Sequence, residues 1–299
     1  MDQLLAPDTE ERIRSGLRLK PFPYFVVDDF LRPELFHQID ADFQRLKDSL
    51  AYADPDDEYA TRAGEPRGKI LRIGMGNNGR SEECFAELRS RSGAWNRLFT
   101  TLYSQDFFYY LLSIFRDTEP YRERVGWKRV RCRRGLYRRS VIDKFLFFDC
   151  CIVCKLARYT NNIGFLPHQD HGEKVVALLF YLGDHGWLPD SRGGTQIWSN
   201  EDTPHLAGWS EYPLTPEERG QLKLHEDVAF KPNRLLGFLK TPNSWHGAFP
   251  MVLPPGVYRD CLQINICVCS GRGLSFKMAL ATKRLTVKSL QRLRGKENK

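Results

Sequence analysis

The spacing of hydrophobic residues along this chain changes from helical to strand-like near residue 140. Apolar residues between Leu35 and Leu46 recur every three or four positions, which predicts a helix that continues to about residue 49. Similar spacing predicts helices over 94–104 and 106–115. We also predict a strand over 22–30, before the first helix. After residue 140, short apolar runs are separated by Gly, Pro and Asn, which is typical of strands. The pattern predicts an α+β, mainly β protein.

The longest apolar run, Val175 to Leu182, is one of the predicted strands in the second half of the chain. It is far too short to cross a membrane. The charged segment 1–20 has no apolar core of a secretory signal, and we expect a polar leader there. With 41% hydrophobic and 12% aromatic residues, the composition favours a soluble, cytoplasmic protein with a substantial core.

Eight cysteines are present, and several lie on predicted strands. Cys151 and Cys154 form a C-x-x-C pair inside an apolar run, with no second pair at the spacing of a zinc finger. We interpret them as buried strand thiols, and Cys267 and Cys269 likewise. A disulfide framework is not indicated, and a reducing compartment fits this cysteine usage best.

Two segments contain the excess of positive charge. Residues 121–139 include nine Lys or Arg and one Glu, and residues 283–299 include seven Lys or Arg and one Glu. The whole chain has a net charge of only +8, so the remaining residues are acidic on balance. Trp127 and Tyr137 lie within the first segment, and such a mixture can bind nucleic acid. The favoured alternative is a solvated loop or strand pair whose arginines meet acidic loops. We expect 276–299 to be a basic tail, frayed or docked as a helix.

Gly74, Gly76 and Gly79 match the G-x-G-x-x-G pattern. A dinucleotide site requires this pattern inside a strand–helix–strand unit. The later chain lacks that alternation, so a loop near the substrate is the better interpretation.

His168, Asp170 and His246 form the strongest candidate site. They occur as His-x-Asp followed 76 positions later by the second His. On a regular strand, His168 and Asp170 would project to the same face. Two imidazoles and one carboxylate are the facial triad of non-haem Fe(II) oxygenases, which leaves positions free for substrate and dioxygen. The other candidates, His205, His225 and His171, are expected to be surface residues or to lie off this face.

The surroundings of the triad resemble the Fe(II)/2-oxoglutarate-dependent oxygenases, in particular their prolyl-hydroxylase-like branch. The resemblance covers about 158–270 and rests on the order of Tyr159, Gly164, the triad, the glycine turn 193–195 and Arg259. It implies that His168, Asp170 and His246 bind iron. It also implies that Arg259 pairs with the distal carboxylate of 2-oxoglutarate, and that Tyr159 and Tyr181 reach the same cosubstrate. Arg259 lies 13 positions after His246, slightly more than in the family pattern.

The resemblance further implies a double-stranded β-helix (jelly roll, cupin-like) core over 140–275, flanked by N-terminal helices over 21–139. The cofactors would be Fe(II), 2-oxoglutarate and O₂, with ascorbate as an optional reductant. The reaction would couple decarboxylation of 2-oxoglutarate to succinate and CO₂ with hydroxylation of an unactivated C–H. Asp170 favours hydroxylation, because halogenating relatives lack this carboxylate.

The substrate is left open by the sequence. An amino-acid residue, a peptide or a small metabolite is the first expectation, and no membrane is implied. Two alternatives are an oxygenase or demethylase acting on nucleic acid, and a non-catalytic barrel that senses 2-oxoglutarate. The polar insertion 199–227 and the loops 51–81 and 117–140 are expected to shape the substrate mouth.

Overall fold

The helices precede most of the strands. The computed structural model describes residues 4–50, 70–73, 81–133, 141–159, 164–183, 193–207, 214–254 and 256–269. The helices are α1 (Thr9–Ser15), α2 (Pro33–Leu46), α3 (Ser81–Cys84), α4 (Ala86–Arg91), α5 (Gly93–Leu102), α6 (Gln105–Phe115), α7 (Glu119–Val125), α8 (Val141–Leu146) and α9 (Pro216–Gly220), with a 3-10 turn at Pro204–Leu206. None of these is long and apolar enough to cross a bilayer.

The strands form two sheets. They are β1 (Tyr24–Val27), β2 (Ile70–Ile73), β3 (Arg129–Cys132), β4 (Phe147–Tyr159), β5 (Phe165–His168), β6 (Lys174–Leu182), β7 (Thr195–Ser199), β8 (Lys223–Val228), β9 (Leu235–Leu239), β10 (His246–Ala248) and β11 (Arg259–Val268). The large sheet has the order β1-β9-β6-β11-β4-β2, with β3 parallel to β4, and the small sheet has the order β5-β10-β7-β8.

The path from β4 to β11 defines the fold. Strands β4, β6, β9 and β11 lie in the large sheet, and β5, β7, β8 and β10 lie in the small one, so the chain repeatedly crosses between them. Within the large sheet these four strands are adjacent and antiparallel. A chain that crosses repeatedly between two four-stranded antiparallel sheets forms a jelly roll. The predicted double-stranded β-helix is therefore confirmed by the strand order.

The large sheet separates two apolar cores because successive side chains of a strand point to opposite faces. On β4, Leu156 packs with the helices α2, α5 and α6, whereas Ala157 and Tyr159 pack between the sheets with Tyr181. The helices thus cover the outer face of the large sheet, as predicted. The inner face looks across to the small sheet.

A buried ion pair joins the strands beneath the helices. Arg158 of β4 faces Asp260 of β11 in register, and its Nε donates to the carboxylate at 2.9 Å. Asp48 accepts a further hydrogen bond from the same guanidinium at 3.2 Å. Breaking such a pair leaves one charge buried and uncompensated, so the pair fixes this register on the helix-covered face of the sheet.

Four predictions require correction. The first strand covers only Tyr24–Val27, because Asp29 has a φ of +47° and breaks the extended conformation. The second concerns the polar insertion 199–227, which is not an insertion throughout because it contains most of strand β8. The residues of β8 are mostly exposed and polar, so no apolar alternation marks this strand. The third is Asp170, which lies two residues beyond the end of β5 and not on that strand. The glycine motif 74–79 and the tail 276–299 lie outside the described residues.

The fourth correction concerns the basic segment. Residues 121–125 belong to α7, and 129–132 form β3. Arg131 and Arg133 pair with Asp149, which is a buried residue of strand β4 and not part of an acidic loop. Trp127 is 71% exposed. Part of the positive charge therefore stabilises the strand pair.

The described cysteines form no disulfide with one another, and Cys150, Cys154 and Cys261 are buried. Of the four thiols predicted to be buried on strands, Cys154 is buried, Cys151 and Cys267 lie on strands but are only partly buried, and Cys269 follows the end of β11.

Candidate metal centre

The structure brings together His168, Asp170 and His246. One donor atom of each lies within 4.8 Å of the others. His168 is the last residue of β5, His246 is the first of β10, and the two are partners in the small sheet. Their rings lie 4.4 Å apart. The pairing of two short strands therefore places both imidazoles side by side, which their separation in sequence could not reveal.

Both imidazoles are oriented by the backbone. Nδ1 of His168 lies 2.9 Å from the carbonyl of Leu166, and Nδ1 of His246 lies 3.0 Å from that of Ser244. A proton on Nδ1 can be donated to each carbonyl, which leaves the lone pair of Nε2 for a metal. The ring of Phe238 lies 4.8 Å from that of His246 and limits its rotation.

The charge states of the three residues suit a cation. Burial, followed by the neighbouring His168, lowers the pKa of His246 to about 3. Burial also lowers the pKa of His168. For Asp170, burial alone would raise the pKa, but the Lys174 ammonium and the two imidazoles lower it well below its usual value. Two neutral nitrogens and one carboxylate oxygen therefore face one another at neutral pH, the donor set of the facial triad.

Lys174 is a residue of the site that the sequence did not identify. Its Nζ lies 2.5 Å from Oδ1 of Asp170, while Oδ2 lies 3.8 Å from Nε2 of His246. The only signal in the sequence is a lysine at the start of an otherwise apolar strand, four residues after Asp170.

Arg259 begins β11 and is only 4% exposed. Its Nε donates to the Gly193 carbonyl, and one NH₂ group approaches Oγ1 of Thr195 at 3.5 Å. Within the described chain no carboxylate pairs with this guanidinium. Since a buried charge is costly without a counter-charge, the geometry is that of an anion site.

Two tyrosines complete the surroundings of Arg259. The guanidinium carbon lies 5.1 Å from the ring centre of Tyr159 and 5.3 Å from that of Tyr181. Burial raises the pKa of Tyr159 to about 12, so its phenol remains a neutral hydrogen-bonding group. The structure therefore places both predicted tyrosines beside Arg259.

Phe165 connects the two halves of the site. Its ring lies 5.3 Å from that of Tyr159 and 6.3 Å from that of His168. The arginine site and the histidine cluster therefore belong to the same interior between the sheets.

The remaining histidine candidates do not join the site. His171, His205 and His225 are exposed, as expected for surface residues, and the ring of His225 packs edge-on against Tyr24 at 6.3 Å.

No protein-family model matches the chain, and no curated protein matches its sequence. Among solved structures, a Pseudomonas putida prolyl-4-hydroxylase is similar over 87% of this chain and 100% of its own, with 14% identity and a TM-score of 0.45. A Trichoplax adhaerens prolyl hydroxylase in complex with a hypoxia inducible factor peptide fragment is similar over 90% and 94%, with 15% identity and a TM-score of 0.46.

The epimerase SnoN, in complex with Fe³⁺, α-ketoglutarate and nogalamycin RO, is similar over 88% of this chain and 85% of its own. Its identity to this chain is 11%, and its TM-score is 0.49. These proteins resemble the chain only distantly, and the fold assignment rests on the strand order described above. Its strand order makes the chain a jelly roll, and a cluster of two histidines and one carboxylate lies between the two sheets.

Proposed function

We propose that this chain is an Fe(II)- and 2-oxoglutarate-dependent oxygenase that hydroxylates an unactivated C–H of an amino-acid residue, a peptide or a small metabolite. The observation that carries the proposal is the convergence of three metal-binding side chains with an unpaired, buried arginine in one interior. A metal site alone would be compatible with many functions. The arginine adds a place for the second carboxylate of a dicarboxylic acid.

The donor set fits iron. His168 and His246 would offer Nε2, and Asp170 would offer Oδ2, because Lys174 holds the other carboxylate oxygen. Two imidazoles and one carboxylate leave positions open on an octahedral ion. When bound, Fe(II) with 2-oxoglutarate supplies the activation of dioxygen, which no amino-acid side chain can perform.

The chain's own residues would bind and orient the cosubstrate. A guanidinium is a planar, permanently charged donor that matches a carboxylate. Arg259 would hold the distal carboxylate of 2-oxoglutarate, and its own orientation is fixed by the Gly193 carbonyl. The hydroxyl of Tyr181 lies 2.6 Å from Oγ1 of Thr195, so this pair can add a neutral hydrogen bond. Phe165 and the tyrosine rings would exclude water from the interior.

Binding and turnover test the proposal separately. Calorimetry should detect Mn(II), used as an inert substitute for iron, and then 2-oxoglutarate in the presence of Mn(II). With Fe(II), ascorbate and O₂, slow conversion of 2-oxoglutarate to succinate should follow even without substrate. A His246→Ala variant should lose all three properties, whereas the surface variant His225→Ala should keep them.

The outcomes discriminate between the candidate functions. Binding of both ligands without any succinate formation would identify a sensor barrel. Failure of the wild-type protein to bind Mn(II) would overturn the assignment altogether. Mass-spectrometric screening of amino acids, peptides and oligonucleotides for the gain of one oxygen would then identify the substrate.

A further inference from the structure

Lys155 lies on the inner face of the large sheet. Strand β4 alternates, so Lys155 shares a face with Ala157 and Tyr159, which pack between the sheets. Its neighbour across the ladder is Gln263 of β11. A lysine in the middle of this strand is unexpected, because inward-facing positions of a jelly roll are usually apolar.

The Lys155 ammonium has no hydrogen bond or ion pair with any residue in the described parts of the chain. Burial, and then the positive charge of Arg72, lower its pKa to about 7. Arg72 is aligned with Ala157, so it lies on the strand beside β4. An ammonium without a partner in this wall is unfavourable, because a charge shielded from water is costly unless it is paired. No carboxylate of the described residues pairs with Lys155, so an anionic ligand could compensate its charge.

Asn265 provides a second polar group on the same wall. It faces Val153 on one side and Ala177 on the other, and it is 6% exposed. In contrast to Gln263, which donates to the Tyr159 hydroxyl at 3.0 Å, its amide has no hydrogen-bond partner among the residues that the structure describes. Because this amide is unpaired, its N–H groups and its oxygen can hydrogen-bond a ligand in the interior.

The position of Lys155 separates it from the arginine site. Lys155 precedes Tyr159 by four residues, which places the two backbones about 13 Å apart along the strand. Tyr159 is the register partner of Arg259. Asn265, Ala177 and Phe238 lie in one row across the large sheet, and the ring of Phe238 lies 4.8 Å from that of His246. Lys155 follows Val153, the other register partner of Asn265, by two residues, so this wall borders the metal end of the interior. The distal carboxylate of 2-oxoglutarate, held at Arg259, would therefore not reach it.

We infer that Lys155 and Asn265 bind an anionic group of the substrate, a carboxylate or a phosphate, beside the metal. This inference rests on the proposed function and deepens it, because it restricts the substrate to an acidic molecule or residue. Lysine acts as a point charge toward either oxyanion. Asn265 would donate its amide N–H to the same group.

Titration of small anions tests the subsite. Protein loaded with Mn(II) and 2-oxoglutarate is titrated with acetate in one experiment and with inorganic phosphate in another. We expect at least one anion to bind the wild type, the Lys155→Met variant to bind it at least tenfold more weakly, and Lys155→Arg to restore binding. Asn265→Leu should give a smaller loss. The control is Lys223→Met, because Lys223 is an exposed lysine paired with Asp202, and its anion affinity should equal that of the wild type.

Three results would overturn the inference. One is equal anion affinity in Lys155→Met and wild type, and another is no binding of either anion to the wild type. The third is a parallel loss of 2-oxoglutarate affinity in Lys155→Met, which would assign the lysine to the cosubstrate. If the wild type bound neither Mn(II) nor 2-oxoglutarate, the proposed function would fail. The same titrations on the metal-free protein would still decide whether the anion subsite exists.

Discussion

The Lys174 ammonium lies 2.5 Å from one carboxylate oxygen of Asp170 and leaves the other facing His246. This contact fixes which oxygen is directed at the metal position. The two residues are four positions apart but do not lie in a helix: Asp170 is in the connection before β6, and Lys174 is the first residue of that strand. Lysine therefore acts here as a positioning residue for the carboxylate.

Replacing Lys174 by Met should weaken metal binding without abolishing it. Loss of a group that orients a ligand costs about tenfold in affinity. Calorimetric titration with Mn(II) measures this change. The matched control is Lys231→Met, since Lys231 forms a Lys–Asp pair with Asp28 at 2.9 Å in another part of the protein. An affinity equal to that of the wild type would show that Lys174 only neutralises the Asp170 carboxylate and does not position it.

Substitution of a triad residue should have a larger effect. We expect His168→Ala to reduce Mn(II) affinity by more than about 100-fold, beyond the range for residues that merely orient a ligand. The exposed His205→Ala variant should bind Mn(II) as the wild type does. Retention of wild-type affinity by His168→Ala would remove this residue from the proposed metal site.

Arg259 should determine the affinity for 2-oxoglutarate and not that for the metal. Removing one partner of a buried charged pair costs about 2–5 kcal/mol, so Arg259→Ala should weaken 2-oxoglutarate binding by about 30-fold or more. Arg259→Lys keeps the charge but loses the planar fork, and an intermediate loss of about tenfold is expected. Calorimetry with 2-oxoglutarate in saturating Mn(II) measures both. A parallel loss of Mn(II) affinity would indicate damage to the fold instead.

The stability of the metal-free protein should depend on pH through Lys155. Its pKa is lowered from 10.5 to about 7 in the folded protein, so between these values the unfolded chain binds more protons. Stability from this residue is therefore lost as pH falls toward 7 and gained as pH rises, by up to about 1.4 kcal/mol per pH unit. Urea unfolding at pH 7, 8 and 9 should show this slope in the wild type and a smaller one in Lys155→Met. Identical slopes would contradict the buried, unpaired state of the ammonium.

Gly237 on β9 should not tolerate a side chain. A Cβ atom there would lie 2.4–2.6 Å from the Phe25 ring and the Leu178 side chain. Overpacking of this kind costs about 1–3 kcal/mol, so Gly237→Ala should unfold at a lower urea concentration. Gly220→Ala is the control, because nothing lies within 4 Å of a Cβ at that position. Equal midpoints for the two variants would show that the β1–β9 interface can move apart.

The sequence by itself determined the mainly β fold class and singled out part of the candidate site, without Lys174. Strand β6 has a long apolar run, and β11 has apolar residues at every second position, so both are recognisable without any partner. His168, Asp170 and His246 stand out because their residue types suit a metal, and the family resemblance adds Arg259. The limits of β8 could not be predicted in this way, since an exposed edge strand needs no apolar residues.

Only the tertiary structure decided which side chains meet. His168 and His246 become neighbours through the pairing of β5 with β10, and Lys174 reaches Asp170 through a turn that no periodicity describes. The inward direction of Lys155 and Asn265 depends on sheet register, which a shift of one residue would reverse. Residue chemistry is local and can be recognised in a sequence, whereas distances across two sheets depend on the packing of the whole chain.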